Sequence, residues 1–271
     1  MFSPWYAWAR RGAAAADPLD HCAVNVALYG RAGKRWAMTE RPRQAVARGA
    51  DWLAIGPSSL RWDGEALVVR FAERSCPLPY RITGTVRLHP GAISRKVFAL
   101  DAAGRHHWQP IAPQGRVEVA LSQPALRWSG PAYLDSNAGE APLEQDFVSW
   151  DWCRAPLRQG AAILYNVERR DGTAQSLALR VRPDGSVDQV SAPPPAALPR
   201  TRWRLARPTR AEAPPRLLQT LEDAPFYSRS VIATRLLGED VTAVHESLSC
   251  DRFSALPVQA MLPFRAPRAW R

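Results

Sequence analysis

Proline sets the tightest limit on how this chain can fold. Its 25 copies, together with 16 glycines, are spread so evenly over 271 residues that few windows could carry a long amphipathic helix. An interior proline removes a backbone donor and clashes with the preceding turn, which leaves short strands between turns as the economical solution. The chain therefore reads as mainly β. Asp63-Gly64, Asp171-Gly172 and Asp184-Gly185 each lie between β-prone runs, as with Leu60-Arg-Trp62 before the first and Ala66-Leu-Val-Val69 after it; this is the sequence signal for a two-residue hairpin. Further strands are expected over 23–29, 81–88, 97–100, 116–121, 163–168, 202–206, 230–237 and 242–246, at the spacing of barrels or sandwiches. Brief helices are expected at 41–49 and 217–221. The run Phe147-Val-Ser-Trp150-Asp-Trp152 opens a second hairpin-rich stretch, so two β domains are expected, 1–146 and 147–271. The Ala-Pro-Pro-Pro-Ala-Ala-Leu-Pro run at 192–199 reads as a stiff loop.

With 46% hydrophobic residues the chain can bury a core, yet its uninterrupted apolar runs fall far below the ~20 residues that span a bilayer as a helix. The balance of 36 basic against 25 acidic residues gives +11, a pull toward nucleic acid, an anionic membrane surface or an acidic protein. All but two of the basic residues are Arg, the exceptions being Lys34 and Lys96. Arg200, Arg202, Arg204, Arg207 and Arg210 form a candidate phosphate strip, but no DNA or RNA motif surrounds them; a solvated strand face or contact with lipid headgroups is the preferred reading. Cys22, Cys76, Cys153 and Cys250 form no Cys-x-x-Cys pair and read as reduced. No apolar stretch of signal-peptide length follows the N-terminal aromatics, so a cytoplasmic protein is expected, with attachment to a membrane face allowed.

The informative histidine lies in Gly104-Arg-His106-His-Trp108. Alternate residues of a strand share a face, so His106 and Trp108 project together while His107 points away. Further on, Tyr133-Leu-Asp135 places a phenol and a carboxylate on one face by the same period. If the two strands are neighbours around a pocket, imidazole, indole, phenol and carboxylate converge. A carboxylic acid kept protonated by an apolar site can donate a proton, and aromatic faces can hold the resulting cation; that is equipment for making a carbocation from an alkene. Taken singly, Asp135-Ser-Asn-Ala-Gly139 is also a turn composition, His106 could satisfy a backbone carbonyl, and Trp108 and Tyr133 could be core aromatics. There is no Gly-x-Ser-x-Gly elbow, Gly-x-Gly-x-x-Gly, Walker-type Gly-Lys-Ser/Thr or His-Glu-x-x-His, so hydrolase, nucleotide and zincin chemistries lack support.

Several collinear blocks carry a more specific signal. Phe2-Ser-Pro-Trp-Tyr-Ala-Trp8, Asp20-His-Cys-Ala-Val-Asn25, Trp36-Ala-Met-Thr-Glu-Arg41, Leu53-Ala-Ile-Gly-Pro-Ser58, Tyr133-Leu-Asp-Ser-Asn-Ala-Gly139, His245-Glu-Ser-Leu248, Asp251-Arg-Phe253 and Leu262-Pro-Phe-Arg265 resemble the bacterial carotenoid 1,2-hydratases, also called hydroxyneurosporene synthases. The resemblance runs in order over nearly the whole chain. It implies a tandem lipocalin-like β architecture of barrel or sandwich domains with few short helices. It also implies addition of water, with no cofactor and no metal, across the terminal 1,2 double bond of an acyclic carotene such as neurosporene or lycopene. The family's His-x-Trp and Tyr-x-Asp motifs match His106 with Trp108 and Tyr133 with Asp135. On that basis Asp135 is expected to protonate the alkene, His106 to hydrogen-bond Asp135 and keep it acidic, and Trp108 and Tyr133 to stabilise the cation, with positioning of the water as the alternative role for Tyr133. Members of that family commonly carry strand material ahead of the Phe-Ser-Pro segment, so the expectation is either a first domain shorter by an upstream strand or a true start upstream of Met1. The expected partners are the acyclic carotenoid, water and an anionic membrane surface met by basic side chains and by Trp5, Tyr6 and Trp8; nucleic acid is not expected. A non-catalytic lipocalin-like carrier of an apolar ligand is the alternative.

Overall fold

The computed structural model describes residues 3–12, 16–30 and 33–269; Phe2 of the opening block lies outside them. The fold is mainly β, with several antiparallel sheets and few short helices. Two strands, β1 (Cys22–Gly30) and β2 (Gly33–Arg41), pair by themselves. The next are β3 (Val46–Arg48), β4 (Trp52–Ile55), β5 (Ser58–Trp62), β6 (Leu67–Arg74), β7 (Arg81–Pro90), β8 (Phe98–Ala99), β9 (His106–Gln123) and β10 (Ala125–Gly139). They form one sheet in the order β10-β9-β7-β6-β5-β4-β3, with β8 added on β9. Then come β11 (Phe147–Leu157), β12 (Gly160–Arg169), β13 (Ala174–Val181), β14 (Val187–Gln189), β15 (Pro195–Leu198), β16 (Arg207–Arg210), β17 (Arg216–Asp223), β18 (Tyr227–Leu236) and β19 (Glu239–Ser249). Of these, β15 pairs with β16, and the others make a sheet ordered β14-β13-β12-β11-β19-β18-β17. The helices are α1 (Pro4–Ala9), α2 (Leu143–Asp146), α3 (Cys250–Ser254) and α4 (Leu256–Met261). Among the described residues no helix is long and apolar enough to cross a membrane.

All three Asp-Gly hairpins form, joining β5 to β6, β12 to β13 and β13 to β14. Their loops exceed two residues because each Asp side chain caps the turn locally. Asp63 accepts from the Glu65 and Ala66 amides, Asp171 from Thr173, and Asp184 from Ser186; this is the Asx-turn chemistry that suits aspartate to such positions. The glycine that follows takes φ of 101°, 83° and 84° respectively, a region closed to most side chains.

Five local expectations give way to other forces. Residues 41–49 make a single 3-10 turn, Arg43–Ala45, and then β3, and residues 217–221 lie inside β17. In both places pairing with the next strand of the chain outweighs weak helical propensity. No strand forms over 202–206, where Arg204 takes φ 59° and Thr201 Oγ1 accepts from the Leu205 amide. The proline run is a loop only in its first half, since 195–198 is β15. The arginine strip is no solvated face throughout: Arg207 is buried, donating to Pro199 O and Ser230 Oγ, and Arg210 donates to Asn166 Oδ1. Trp5, Tyr6 and Trp8 are helical; Pro4 opens α1 and the Ser3 hydroxyl caps it by accepting from the Tyr6 amide. All four cysteines are free thiols.

The chain makes two compact units, each assembled from separated segments. One comprises 1–90, 115–132 and 259–271, the other 91–114 and 133–258; β9 and β10 give part of their length to each. A cut at 146/147 divides the sequence into consecutive halves, whereas these units interleave along it.

In the first unit the core joins Ala37, Phe71, Ile82, Val117, Val119 and Leu121. Beside it lie two buried charge clusters. Arg41 donates to Glu73 Oε2 at 2.7 Å while the Ser58 hydroxyl donates to Oε1 at 2.5 Å. Glu40 meets the Ser3 hydroxyl and Arg268, with His21 Nδ1 2.8 Å from its Oε1, and Arg268 also donates to Asp20 at 2.9 Å. The blocks around Ser3, Asp20-His21, Glu40-Arg41 and Ser58 thus supply a structural network: Glu40 and Glu73 are taken out of water only because each is paired. In the second unit the core gathers Cys153, Ala155, Ala162, Leu164, Ala178, Leu198, Ile232, Leu236 and Ala243.

Candidate active site

All four residues singled out from the sequence lie in the second unit. At the start of β9, His106, Trp108, Pro110 and Ala112 are buried while the residues between them are less so; strand alternation puts imidazole and indole on the same side, as the spacing requires. Residues 133–139 are strand rather than turn, so Tyr133 and Asp135 share a face of β10, which neighbours β9 in the sheet. The Trp108 indole N–H donates to Asp135 Oδ2 at 2.8 Å, and the Tyr133 hydroxyl donates to that same oxygen at 3.0 Å. Indole, phenol and carboxylate therefore converge.

His106 does not join them through Asp135. The hydrogen bond expected between the two is replaced by one to Asp146, whose Oδ2 lies 2.6 Å from His106 Nε2, and Arg105 binds the other oxygen of Asp146. The His106 amide donates to Asp101 at 2.7 Å, and its ring meets Phe147 edge-on at 4.9 Å. The opposite side of the ring faces Gly139 of β10, where an added Cβ would lie 2.6 Å from Nδ1. His106 is thus a buried post between β9, β10 and α2. Asp146 sits in a four-residue helix, so no strand period could have announced it.

The surroundings of Asp135 are aromatic. Tyr165 meets the Trp108 ring at 5.2 Å and 83°, and Phe98 lies 5.6 Å from it on another side. Tyr133 rests on Trp152 at 5.1 Å, Trp150 meets Tyr165 at 6.0 Å, and the Arg154 guanidinium lies 5.5 Å from the Tyr133 ring centre. Arg154 is held there by donating from Nε and Nη2 to Pro113 O at 3.2 and 3.0 Å. Trp150, Trp152 and Tyr165 were visible in the sequence only as an aromatic-rich stretch. Their shared face follows from the β11–β12 register, in which Trp152 stands opposite Tyr165.

Burial raises the Asp135 carboxyl above its ordinary range, outweighing the Trp108 and Tyr133 hydrogen bonds, which favour the ionised form. Burial likewise pushes the Tyr133 and Tyr165 phenols far up, the nearby Asp135 charge adding to the effect, so both remain donors. Because both donors meet Oδ2, the proton of the neutral acid falls to Oδ1. A second acid, Asp151, is raised to about 7, chiefly by burial, and accepts from Asn166 Nδ2 at 2.8 Å. It projects from the opposite face of β11 to Trp150 and Trp152, into the core, and is no part of this site. Among the described residues no cluster of three or more His, Cys, Asp or Glu could hold a metal ion.

The family profile described as carotenoid hydratase CrtC matches residues 1–271. The chain belongs to the carotenoid hydratase family. Two relatives bear the name acyclic carotenoid 1,2-hydratase. That of Thiocapsa roseopersicina is 55% identical over 271 residues, covering 99% of this chain and 67% of its own length. That of Cereibacter sphaeroides is 41% identical, covering 99% of this chain and 95% of its own. A solved structure described as AttH from Nitrosomonas europaea superimposes with a TM-score of 0.56 at 15% identity, over 83% of this chain and 80% of that one. It shows the fold alone, and places this carotenoid hydratase in the lipocalin-like mainly β class expected from the sequence.

Proposed function

We propose that this carotenoid hydratase adds water across the terminal 1,2 double bond of an acyclic carotene such as neurosporene or lycopene, with Asp135 as the acid. The observation that carries the reading is the pair of donors, Trp108 Nε1 and Tyr133 Oη, on one oxygen of a carboxyl group whose pKa burial raises. The proton on Oδ1 passes to the second carbon of the alkene, so the positive charge forms at the first, tertiary carbon. As Asp135 ionises, the two hydrogen bonds strengthen, because a bond to a charged acceptor is worth more than one to a neutral acid. The acid is thus stabilised most in the state it reaches during proton transfer. The rings of Trp108, Tyr133, Tyr165 and Trp152 offer π faces to the cation, each worth roughly 0.5–2 kcal/mol when desolvated. Water then bonds to the first carbon and gives up a proton, leaving a tertiary alcohol. His106 fixes β9 and β10 around the acid through Asp146. The residues of the site need no cofactor for this sequence of steps.

A carotene is almost insoluble in water, so the second part of the reading is peripheral attachment to an anionic membrane surface, on the cytoplasmic side. The charge of +11 supports it, as does a patch of the first unit. Phe264, Leu78 and Tyr80 are 74%, 59% and 56% exposed. They are drawn together by the Cys76 thiol, which donates to Phe264 O at 2.6 Å. Arg35 lies over the Tyr80 ring and Arg265 over Trp36. Basic residues near an anionic leaflet contribute about 1 kcal/mol each. Of Trp5, Tyr6 and Trp8 only Trp8 is exposed, since Trp5 donates to Ala266 O and Tyr6 packs on His21.

Incubation with lycopene or neurosporene in anionic vesicles tests the reaction. A more polar product heavier by one water is expected from the native chain and none from Asp135→Asn, with the thermal melt unchanged. Wild-type hydration by Asp135→Asn overturns the assignment of the acid, and unchanged pigment with the native chain leaves the carrier reading.

A further inference from the structure

Hydration of an alkene moves two protons: one arrives from the acid, and one leaves the attacking water. Asp135 accounts for the first. The wall that Tyr133 rests on carries a second carboxylate. In the pairing of β11 with β19, Trp150 stands opposite Leu248, Trp152 opposite Glu246 and Arg154 opposite Val244. In the pairing of β19 with β18, Glu246 stands opposite Arg229. Directly paired residues project from the same side of a sheet, so Glu246 lies beside Trp152 on the aromatic side. Its neighbours His245 and Ser247 point into the core. Arg229 Nε donates to Glu246 Oε1 at 2.8 Å, and Arg229 lies in turn over the Tyr227 ring, which meets Trp150. The ion pair engages Oε1 of Glu246. The Tyr165 phenol is within electrostatic reach of both Asp135 and Glu246. On this same side, the indole N–H groups of Trp150 and Trp152 are buried with no protein acceptor, although a buried indole N–H usually finds one.

We propose that Glu246 is a second catalytic carboxylate of this site, binding the attacking water together with the Trp152 indole N–H and taking its proton. The inference rests on Asp135 being the acid. Trp152 donates to one lone pair of the water and a water O–H donates to Glu246 Oε2, so the second lone pair is directed at the cation. As the O–C bond forms at the tertiary carbon, that O–H bond breaks and its proton passes to Oε2. Glu246 then releases the proton to solvent and Asp135 takes one up, so that alkene plus water gives alcohol with both residues restored. The negative charge of Glu246 also stabilises the cation before capture. Arg229 acts as a positioning residue that holds Glu246 in place.

The test is chemical rescue. Glu246→Gln keeps the shape of the side chain and a bond to Arg229 but removes the charge and the base. Its kcat is expected to fall by about 100-fold, the lower end of what a general base contributes, with carotene binding and the thermal melt near native. Glu246→Ala leaves Arg229 facing a small anion-sized space, so added formate should restore at least tenfold of the lost rate. Asp135→Asn, run in parallel, should gain nothing from formate. Glu246→Gln activity within twofold of native overturns the proposal, as does a folded Glu246→Ala that formate does not rescue. Full activity in Asp135→Asn instead removes the reading of Asp135 on which this one stands, and the two failures are told apart by which variant remains active.

Discussion

Removing the Tyr133 hydroxyl should extend the activity to higher pH. Tyr133→Phe keeps the ring that rests on Trp152 and under Arg154, and keeps the Trp108 bond to Asp135 at 2.8 Å, deleting only the 3.0 Å bond to Oδ2. That bond is worth about 1.5–3 kcal/mol to the carboxylate and about 0.5–1.5 kcal/mol to the neutral acid. Its loss therefore costs the ionised form roughly 1–2 kcal/mol more, and at 1.36 kcal/mol per pH unit Asp135 rises by about one unit. The acid form is the active one, so activity is present below the Asp135 pKa and lost above it. The alkaline limb of kcat/KM, which reports free-enzyme groups, should move up by about one unit while the maximal rate falls, because the stronger bond to the developing carboxylate is gone. Initial rates of alcohol formation in carotene-bearing vesicles across the neutral range measure both. A limb that stays in place, or moves to lower pH, would refute the claim that the phenol and Asp135 form one ionising unit.

Asp151 offers a stability counterpart with no catalytic part. Its folded value of about 7 exceeds the ordinary 3.8, so between those values the folded chain holds a proton that the unfolded chain has released, and stability falls as pH rises through that window. The full difference corresponds to roughly 4 kcal/mol; Asp151→Asn, which can still accept from Asn166, should flatten the decline and melt higher than native above neutrality. Arg268→Ala leaves Glu40 buried without its guanidinium, and chemical denaturation should show a loss of about 3–5 kcal/mol. The double variant Phe264→Ser, Leu78→Ser should sediment less with anionic vesicles than the native chain, while hydrating detergent-dispersed carotene at an unchanged rate.

The legible part of this molecule is what a period of two can carry. Alternation put His106 with Trp108 and Tyr133 with Asp135 before any fold was known, and Asp-Gly punctuation located three hairpins. The illegible part is what depends on register between distant strands or on burial of charge. Asp146 meets His106 across 40 residues from a helix of one turn. Trp152 and Tyr165 become one wall only once β11 and β12 are aligned. Arg207 looks like a surface charge until Pro199 O and Ser230 enclose it. The helices expected at 41–49 and 217–221 failed for a more local reason, since pairing with the very next strand, β4 or β18, supplies more than local propensity opposes.

Strand β11 serves two masters in alternate positions. Asp151, Cys153 and Ala155 belong to the interior, whereas Trp150, Trp152 and Arg154 face the chemistry. A scan along this single segment should accordingly split by parity, odd substitutions registering in calorimetry and even ones in turnover. A one-residue deletion would transpose the two roles at a stroke, so length here is conserved by physics more strictly than any individual side chain.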